Sequence, residues 1–175
     1  MALLAEEIVE EWLNRQGYFT IRGIKVGVHE IDLLAVKWNR DGKPECRHLE
    51  VQASMRPVSY ISRVPKREQK NGRAKNSAKR SDEELVEGVR EWVETKFHRA
   101  DKKALMATLW NGDWSSELVV NVVKSEEELK LIASQGITIL RLADIVSSLA
   151  NDSFPVGSAC GADIIDLILM GAQNT

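Results

Sequence analysis

The sequence predicts an α/β domain with a mixed central sheet flanked by helices, an α-β-β-β-α-β core and a C-terminal helical extension. Three observations carry that expectation. An amphipathic helix pattern opens the chain and is followed by three strand-like runs, the last two joined by an Asp-Gly turn. Two Ser-x-x-Glu signatures, at Ser81 and Ser125, each open a later helix. The full order reads α-β-β-β-α-β-β-α-β-α, which builds one sheet with helices on its faces.

Each element has a local reason. Ala5, Ile8, Val9, Trp12 and Leu13 form one stripe of a helix over residues 3–15, and Gly17 stops it. Tyr18 to Val28 alternates loosely as a first strand. Glu30 to Trp38 is a second strand, Asn39 to Pro44 a turn built on Asp41-Gly42, and Arg47 to Ala53 a third strand. Residues 54–80 carry two Pro, one Gly and several Ser and Asn without a sustained period. They read as a long, mobile loop inserted in the domain, with room for a helical turn. The helix opened by Ser81 runs to about Phe97, with Leu85, Val89, Trp92 and Val93 on its buried side. Ala104 to Trp110 reads as a strand, Asn111-Gly112 as a turn, and Leu118 to Val123 as a buried strand. A helix from Ser125 to Gly136, a short strand from Ile137 to Leu140 and a helix over 142–150 complete a domain spanning 1–151.

In the extension, 152–175, Ala162 to Met170 has the pattern of a final apolar helix, which suits covering a sheet edge or a homodimer seam. Trp12, Trp38 and Trp92 fall at core positions. Trp110 and Trp114 flank a turn, where a packed cap is the first reading and base stacking the second.

A chain of 175 residues with 43% hydrophobic content is long enough for one core of its own. Cys46 and Cys160 are too few and too far apart for a zinc motif or a disulfide framework, so a reduced, cytoplasmic setting is expected and Cys46 is read as inert. The acidic N-terminus lacks the basic n-region of a signal peptide, and no apolar run approaches a membrane span, so no membrane partner is expected. The formal net charge of −2 hides an asymmetry. Ser54 to Arg80 carries about +8 and the remainder about −10, a block that marks a candidate polyanion-binding surface.

Two acids stand out against apolar surroundings. Glu50 and Gln52 lie two apart on the third strand and share a face, with His48 beside them, while Leu49, Val51 and Ala53 point the other way. Folding the hairpin about Asp41-Gly42 with paired positions summing to 82 puts Asp32 opposite Glu50; a sum of 84 puts it opposite Gln52, on the same face. Odd sums separate them. Asp32 shares its face with Leu34, Val36 and Trp38, and acids on an apolar face need partners. Paired carboxylates with a main-chain carbonyl are the hard oxygen donors that Mg²⁺ prefers. His48 is within reach, with a structural role the simpler reading.

This run resembles the PD-(D/E)XK nuclease superfamily, the restriction-endonuclease-like fold, and in particular its small Holliday-junction-resolvase-like members. His29-Glu-Ile-Asp-Leu-Leu-Ala35 stands where that group has GEIDLIA, and Leu49-Glu-Val-Gln52 where it has VEVK. Upstream, Glu6-x-x-Val9-x-x-Trp12-Leu13-x-x-x-Gly17-Tyr18 is similar to its first-helix pattern, so the likeness covers roughly residues 3–53. It implies that Asp32, Glu50 and the Val51 carbonyl bind Mg²⁺ (or Mn²⁺) and that Glu6 supports the metal or its waters. Helix geometry alone admits Glu6 or Glu11 beside the apolar stripe; the resemblance selects Glu6.

One departure matters. Gln52 replaces the usual lysine, and Gln neither acts as a base nor carries positive charge toward a transition state. Lys37 is an odd number of positions from Asp32 and faces away, which leaves Lys66 or Lys70 of the basic segment as looser substitutes. The implied function is metal-dependent DNA endonuclease. Asp32, Glu50, Gln52 and Glu6 form its site, and Arg56, Arg63, Lys66, Arg67, Lys70, Arg73, Lys75, Lys79 and Arg80 contact nucleic acid. The alternatives are a catalytically inactive nuclease-fold DNA-binding or assembly module, and a protein-interaction domain whose basic segment docks an acidic partner.

Overall fold

Five strands in the order β1-β2-β3-β4-β5 form the sheet, the first three antiparallel neighbours and the last three parallel ones. The structure, a computed structural model, describes residues 2–54, 56–151, 153–156 and 170. Helix α1 (Ala2–Arg15) leads into β1 (Phe19–Val26), β2 (His29–Trp38) and β3 (Pro44–Gln52). A long crossover follows, made of α2 (Lys66–Lys70), α3 (Asp82–Val93), a π-helical turn (Glu94–His98) and α4 (Ala100–Leu109). The chain then continues through β4 (Trp114–Val120), α5 (Glu126–Ser134), β5 (Thr138–Arg141) and α6 (Leu142–Asn151). The apolar helix expected over 162–170 lies outside the described residues, apart from Met170. No helix among the described residues is long and apolar enough to cross a membrane.

Each sheet face is covered for a reason legible in the residues. On one face, Ala5, Val9 and Leu13 of α1 recur every four residues and meet Leu33, Ala35, Leu49 and Val51 of the sheet with Leu142, Ile145 and Leu149 of α6. On the other, Leu85, Val89 and Val93 of α3 join Leu118 and Val120 of β4 and Leu129 and Ile132 of α5. Strand β4 is apolar on both sides because it lies inside the parallel part of the sheet, between β3 and β5. The capping box at Ser81 is complete: its hydroxyl accepts from the Glu84 N–H and Glu84 accepts from the Ser81 N–H.

Several expectations are corrected. The strand expected over 104–110 is helical. Ala, Leu and Met are strong helix formers, and Lys102 and Met106, one turn apart, face inward, Met106 against Ile31 and Leu34. Only half of the second capping box forms. The Ser125 hydroxyl accepts from the Glu128 N–H, but the Glu128 carboxylate is drawn away to the segment before α2. Trp38, expected in the core, is 53% exposed and lies edge-on to Phe19 and Trp110.

The basic segment is a folded strap rather than a loop without structure. Glu128 accepts hydrogen bonds from the Ile61 N–H (2.7 Å), the Ser62 N–H (2.8 Å) and the Ser62 hydroxyl (2.5 Å). Val58 bridges to Val123 beyond the end of β4. Gly88 of α3 lets the strap approach closely, since a Cβ there would meet the Arg63 carbonyl oxygen at 2.5 Å.

Candidate active site at the end of the hairpin

The β2–β3 register pairs Leu33 with Leu49 and Leu34 with His48, so positions sum to 82 and Asp32 stands opposite Glu50, one step past the last ladder pair. Asp32 is also where pairing with β1 is interrupted, between Arg22↔Leu33 and Ile24↔Ile31. The facing β1 residue is Gly23, whose φ of +67° is open to glycine at little cost. Asp32 Oδ2 accepts the Val51 N–H at 2.8 Å, closing the gap where the strands part.

Glu50 is fully buried, and both its oxygens carry a charged partner. Lys96 Nζ donates to Oε2 at 2.5 Å and Lys102 Nζ to Oε1 at 2.6 Å, with His48 Nε2 3.2 Å from Oε1. Lys102 also donates to the Lys96 carbonyl at 2.9 Å, tying the π-turn to α4. The π-turn is the device that delivers Lys96. Its extra residue aims Lys96 at Glu50 and Phe97 into the core, where Phe97 packs on the His48 ring at a centroid distance of 5.0 Å. π-turns inside helices recur at functional sites.

The electrostatics separate the two acids. Burial alone would raise Glu50; the hydrogen bond with His48 and the charges of Lys96 and Lys102 outweigh it and hold the carboxyl at about 2. Burial, followed by the Glu50 charge, pushes Asp32 up to about 6, although Lys96 and the Val51 N–H oppose it. Lys96 is raised: burial would lower it, but Glu50 and then Asp32 prevail. Glu6 is raised by burial and then by Glu30, and its charge acts on Asp32 as well. Glu11, the other helix candidate, is committed elsewhere, accepting from Arg15 Nε at 2.6 Å.

The structure therefore brings Asp32, Glu50, Gln52 and Val51 together and sets Glu6 within electrostatic reach. Gln52 is half-buried and pairs with Val120 in the ladder, while its side chain makes no hydrogen bond among the described residues. Lys37 lies on the opposite face, over the Tyr18 ring, as the strand period requires. Lys66 and Lys70 do not supply the missing ammonium. Both are exposed on α2, and Lys96 and Lys102 stand at Glu50 instead. Lys96 was readable in part, because it falls on the stripe of Val89, Trp92, Val93 and Phe97, where a lysine needs a buried acid.

Among the described residues, no three His, Cys, Asp or Glu side chains gather as a metal cage. Two carboxylates beside a main-chain segment are nonetheless donors of the kind a hard cation takes, since Mg²⁺ keeps several of its waters. The Lys96 ammonium acts as a stand-in cation, bonded to Glu50 and within the field of Asp32.

Of the nine basic strap residues, Arg73 and Arg80 are fasteners. Arg73 grips Glu84 through two bonds of 2.8 and 2.9 Å, and Arg80 bonds the Ser62 carbonyl at 2.7 Å while lying over Tyr60. Arg56, Arg63, Lys66, Arg67, Lys70, Lys75 and Lys79 are exposed. The strap leaves β3 immediately after Gln52 and packs against α3 and α5.

No protein-family model matches the chain, and no curated protein matches it. A crystal structure of a protein of unknown function, AF1548, aligns over 97% of this chain and 79% of its own, at 14% identity and a TM-score of 0.46.

Proposed function

We propose that this chain is a Mg²⁺- or Mn²⁺-dependent DNA endonuclease of the PD-(D/E)XK type, with its lysine supplied by the π-turn. One observation carries the reading: the Lys96 ammonium is bonded to Glu50, across the hairpin from Asp32, so two acids and a lysine meet although Gln52 occupies the lysine's usual strand position. Asp32, Glu50 and the Val51 carbonyl hold the cation, which when bound polarises a phosphodiester oxygen and lowers the pKa of a water. Gln52 orients that water or the scissile phosphate. Lys96 brings the positive charge that Gln52 lacks toward the charge developing on phosphorus. Glu6 supports the water shell, and the exposed strap cations hold the DNA backbone.

The test is cleavage of plasmid, single-stranded and branched DNA under each cation by wild type, Asp32→Asn and Glu50→Gln. Cleavage by wild type alone is expected; unaltered cleavage by both variants sinks the site. The double occupancy of Glu50 by ammonium groups favours one other reading, a catalytically inactive DNA-binding or assembly module. Salt-sensitive DNA binding without cleavage under either cation would select it.

A further inference from the structure

Two lysines share one buried carboxylate, yet they are held very differently. The Lys102 side chain is 1% exposed and has two acceptors, Glu50 Oε1 and the Lys96 carbonyl. The Lys96 side chain is 25% exposed, and Glu50 Oε2 is its only hydrogen-bond acceptor among the described residues. Withdrawing Lys102 would strand a buried ammonium. Withdrawing Lys96 returns one to water at small cost, by rotation of a flexible four-carbon stem.

The charges point the same way. With both lysines in place the two carboxylates are already balanced, so a divalent cation added to that arrangement would meet two ammonium groups. With Lys96 rotated out, Glu50 Oε2 is exposed to a cation beside Asp32, and Lys102 keeps Glu50 from being an unpaired buried charge.

We propose that Lys96 is a displaceable internal counter-ion: it occupies Glu50 in the metal-free protein and must leave that carboxylate for a divalent cation to bind, whereas Lys102 stays. This rests on the metal-site reading above and adds to it a resting state closed by the protein's own side chain. The consequence is weak cation binding by the resting protein, and a released ammonium that meets an arriving phosphate. Lys96 is thus a competitor of the metal before it is a partner of the substrate.

The test measures Mn²⁺ binding without nucleic acid, by the loss of the free-ion paramagnetic resonance signal, in the full chain. Lys96→Gln is expected to bind about tenfold more tightly than wild type. Lys96→Arg, which keeps a cation on Glu50, and Lys103→Gln, which removes an exposed charge from α4, are expected to stay within about threefold of wild type. Asp32→Asn in the Lys96→Gln background should abolish the binding, and thermal melts check that each variant is folded. Equal affinity in wild type and Lys96→Gln overturns the counter-ion and leaves the metal site standing. An equal gain in Lys103→Gln also overturns it, because general charge then explains the effect. Absence of Mn²⁺ binding in both wild type and Lys96→Gln overturns the metal-site reading itself, and the counter-ion with it.

Discussion

The two faces of β3 each bury an ion pair, and the pairs are built for opposite purposes. Toward α1, Arg47 donates through Nε (2.8 Å) and Nη2 (2.5 Å) to the two oxygens of Glu117, while its guanidinium lies over the rings of Trp12 and Tyr18. That is a planar fork closed on a carboxylate and flanked by aromatic rings. Toward the π-turn, Glu50 is met by two lysines, each a point charge on a flexible stem, and one of them reaches solvent. The first arrangement commits both carboxylate oxygens to one rigid partner, at the edge of an open cavity. The second has a movable partner, an acid across the hairpin and a glutamine whose side chain makes no hydrogen bond among the described residues. The proposed chemistry uses the second face.

The largest expected effects break this contrast directly. Arg47→Ala and Glu50→Ala each leave a buried charge unpaired and should each cost about 3–5 kcal/mol by denaturant unfolding. Replacing the whole fork, Arg47→Met with Glu117→Leu, should cost far less and leave DNA cleavage intact, since a buried pair is often dispensable when removed together. Glu50→Gln should keep most of the fold and lose cleavage. If the double replacement also abolishes cleavage in a folded protein, the division of labour between the faces is wrong.

A lysine transplant sharpens the second face. Lys96→Gln should lower the cleavage rate by about 10²–10³-fold, the cost of removing a positioned charge from a transition state. Gln52→Lys placed in that background restores an ammonium beside Glu50 and should recover at least about tenfold, or about 1.4 kcal/mol of barrier. Single-turnover rates on one DNA substrate decide it. No recovery, with both proteins folded, would show that Lys96 does not fill the role Gln52 has vacated.

That exchange also marks what was legible before the structure. The hairpin was: alternation, an Asp-Gly turn and an even register bring Asp32 to Glu50, and Leu33↔Leu49 selects the sum of 82. The lysines were less so: Lys96 falls on the α3 stripe, but a π-turn departs from the helical period that sequence patterns assume, and Lys102 precedes a run whose short apolar pattern suits strand and helix alike. The strap escaped for a different reason. Glu128 has the spacing of a capping-box residue, and nothing local reveals that its carboxylate instead binds main-chain groups 66 and 67 positions away. Local rules failed where a buried side chain serves a distant segment.

The acids on this face also set opposing pH dependences in the metal-free protein. Asp32 titrates near 6 when folded against an ordinary 3.8, so the folded state holds its proton more tightly than the unfolded chain does. Its ionisation therefore weakens the fold: stability is greatest below about pH 4 and falls as pH rises through 6. Glu50, held at about 2 against an ordinary 4.5, contributes stability that is present above pH 4.5 and lost toward pH 2. Asp32→Asn should then raise stability at pH 8 by about 1–3 kcal/mol and change it little at pH 4, measured by urea unfolding at both values. A variant equally stable to wild type at pH 8 would remove the account of Asp32 as a strained acid awaiting a cation.

The smallest effects lie in the strap, where the same contrast between fastener and movable charge recurs at the surface. Arg80→Ala removes two bonds to Ser62 and the contact with Tyr60, and should cost about 1 kcal/mol of stability while leaving the salt dependence of DNA binding unchanged. Lys70→Gln touches no acid among the described residues. It should leave stability within about 0.5 kcal/mol and lower the slope of log affinity against log salt by about 1. Binding titrations at four salt concentrations separate the two. A slope unmoved by Lys70→Gln, and likewise by Lys75→Gln and Arg63→Gln, would make the exposed cations a solvated coat around a strap whose role is to cover α3.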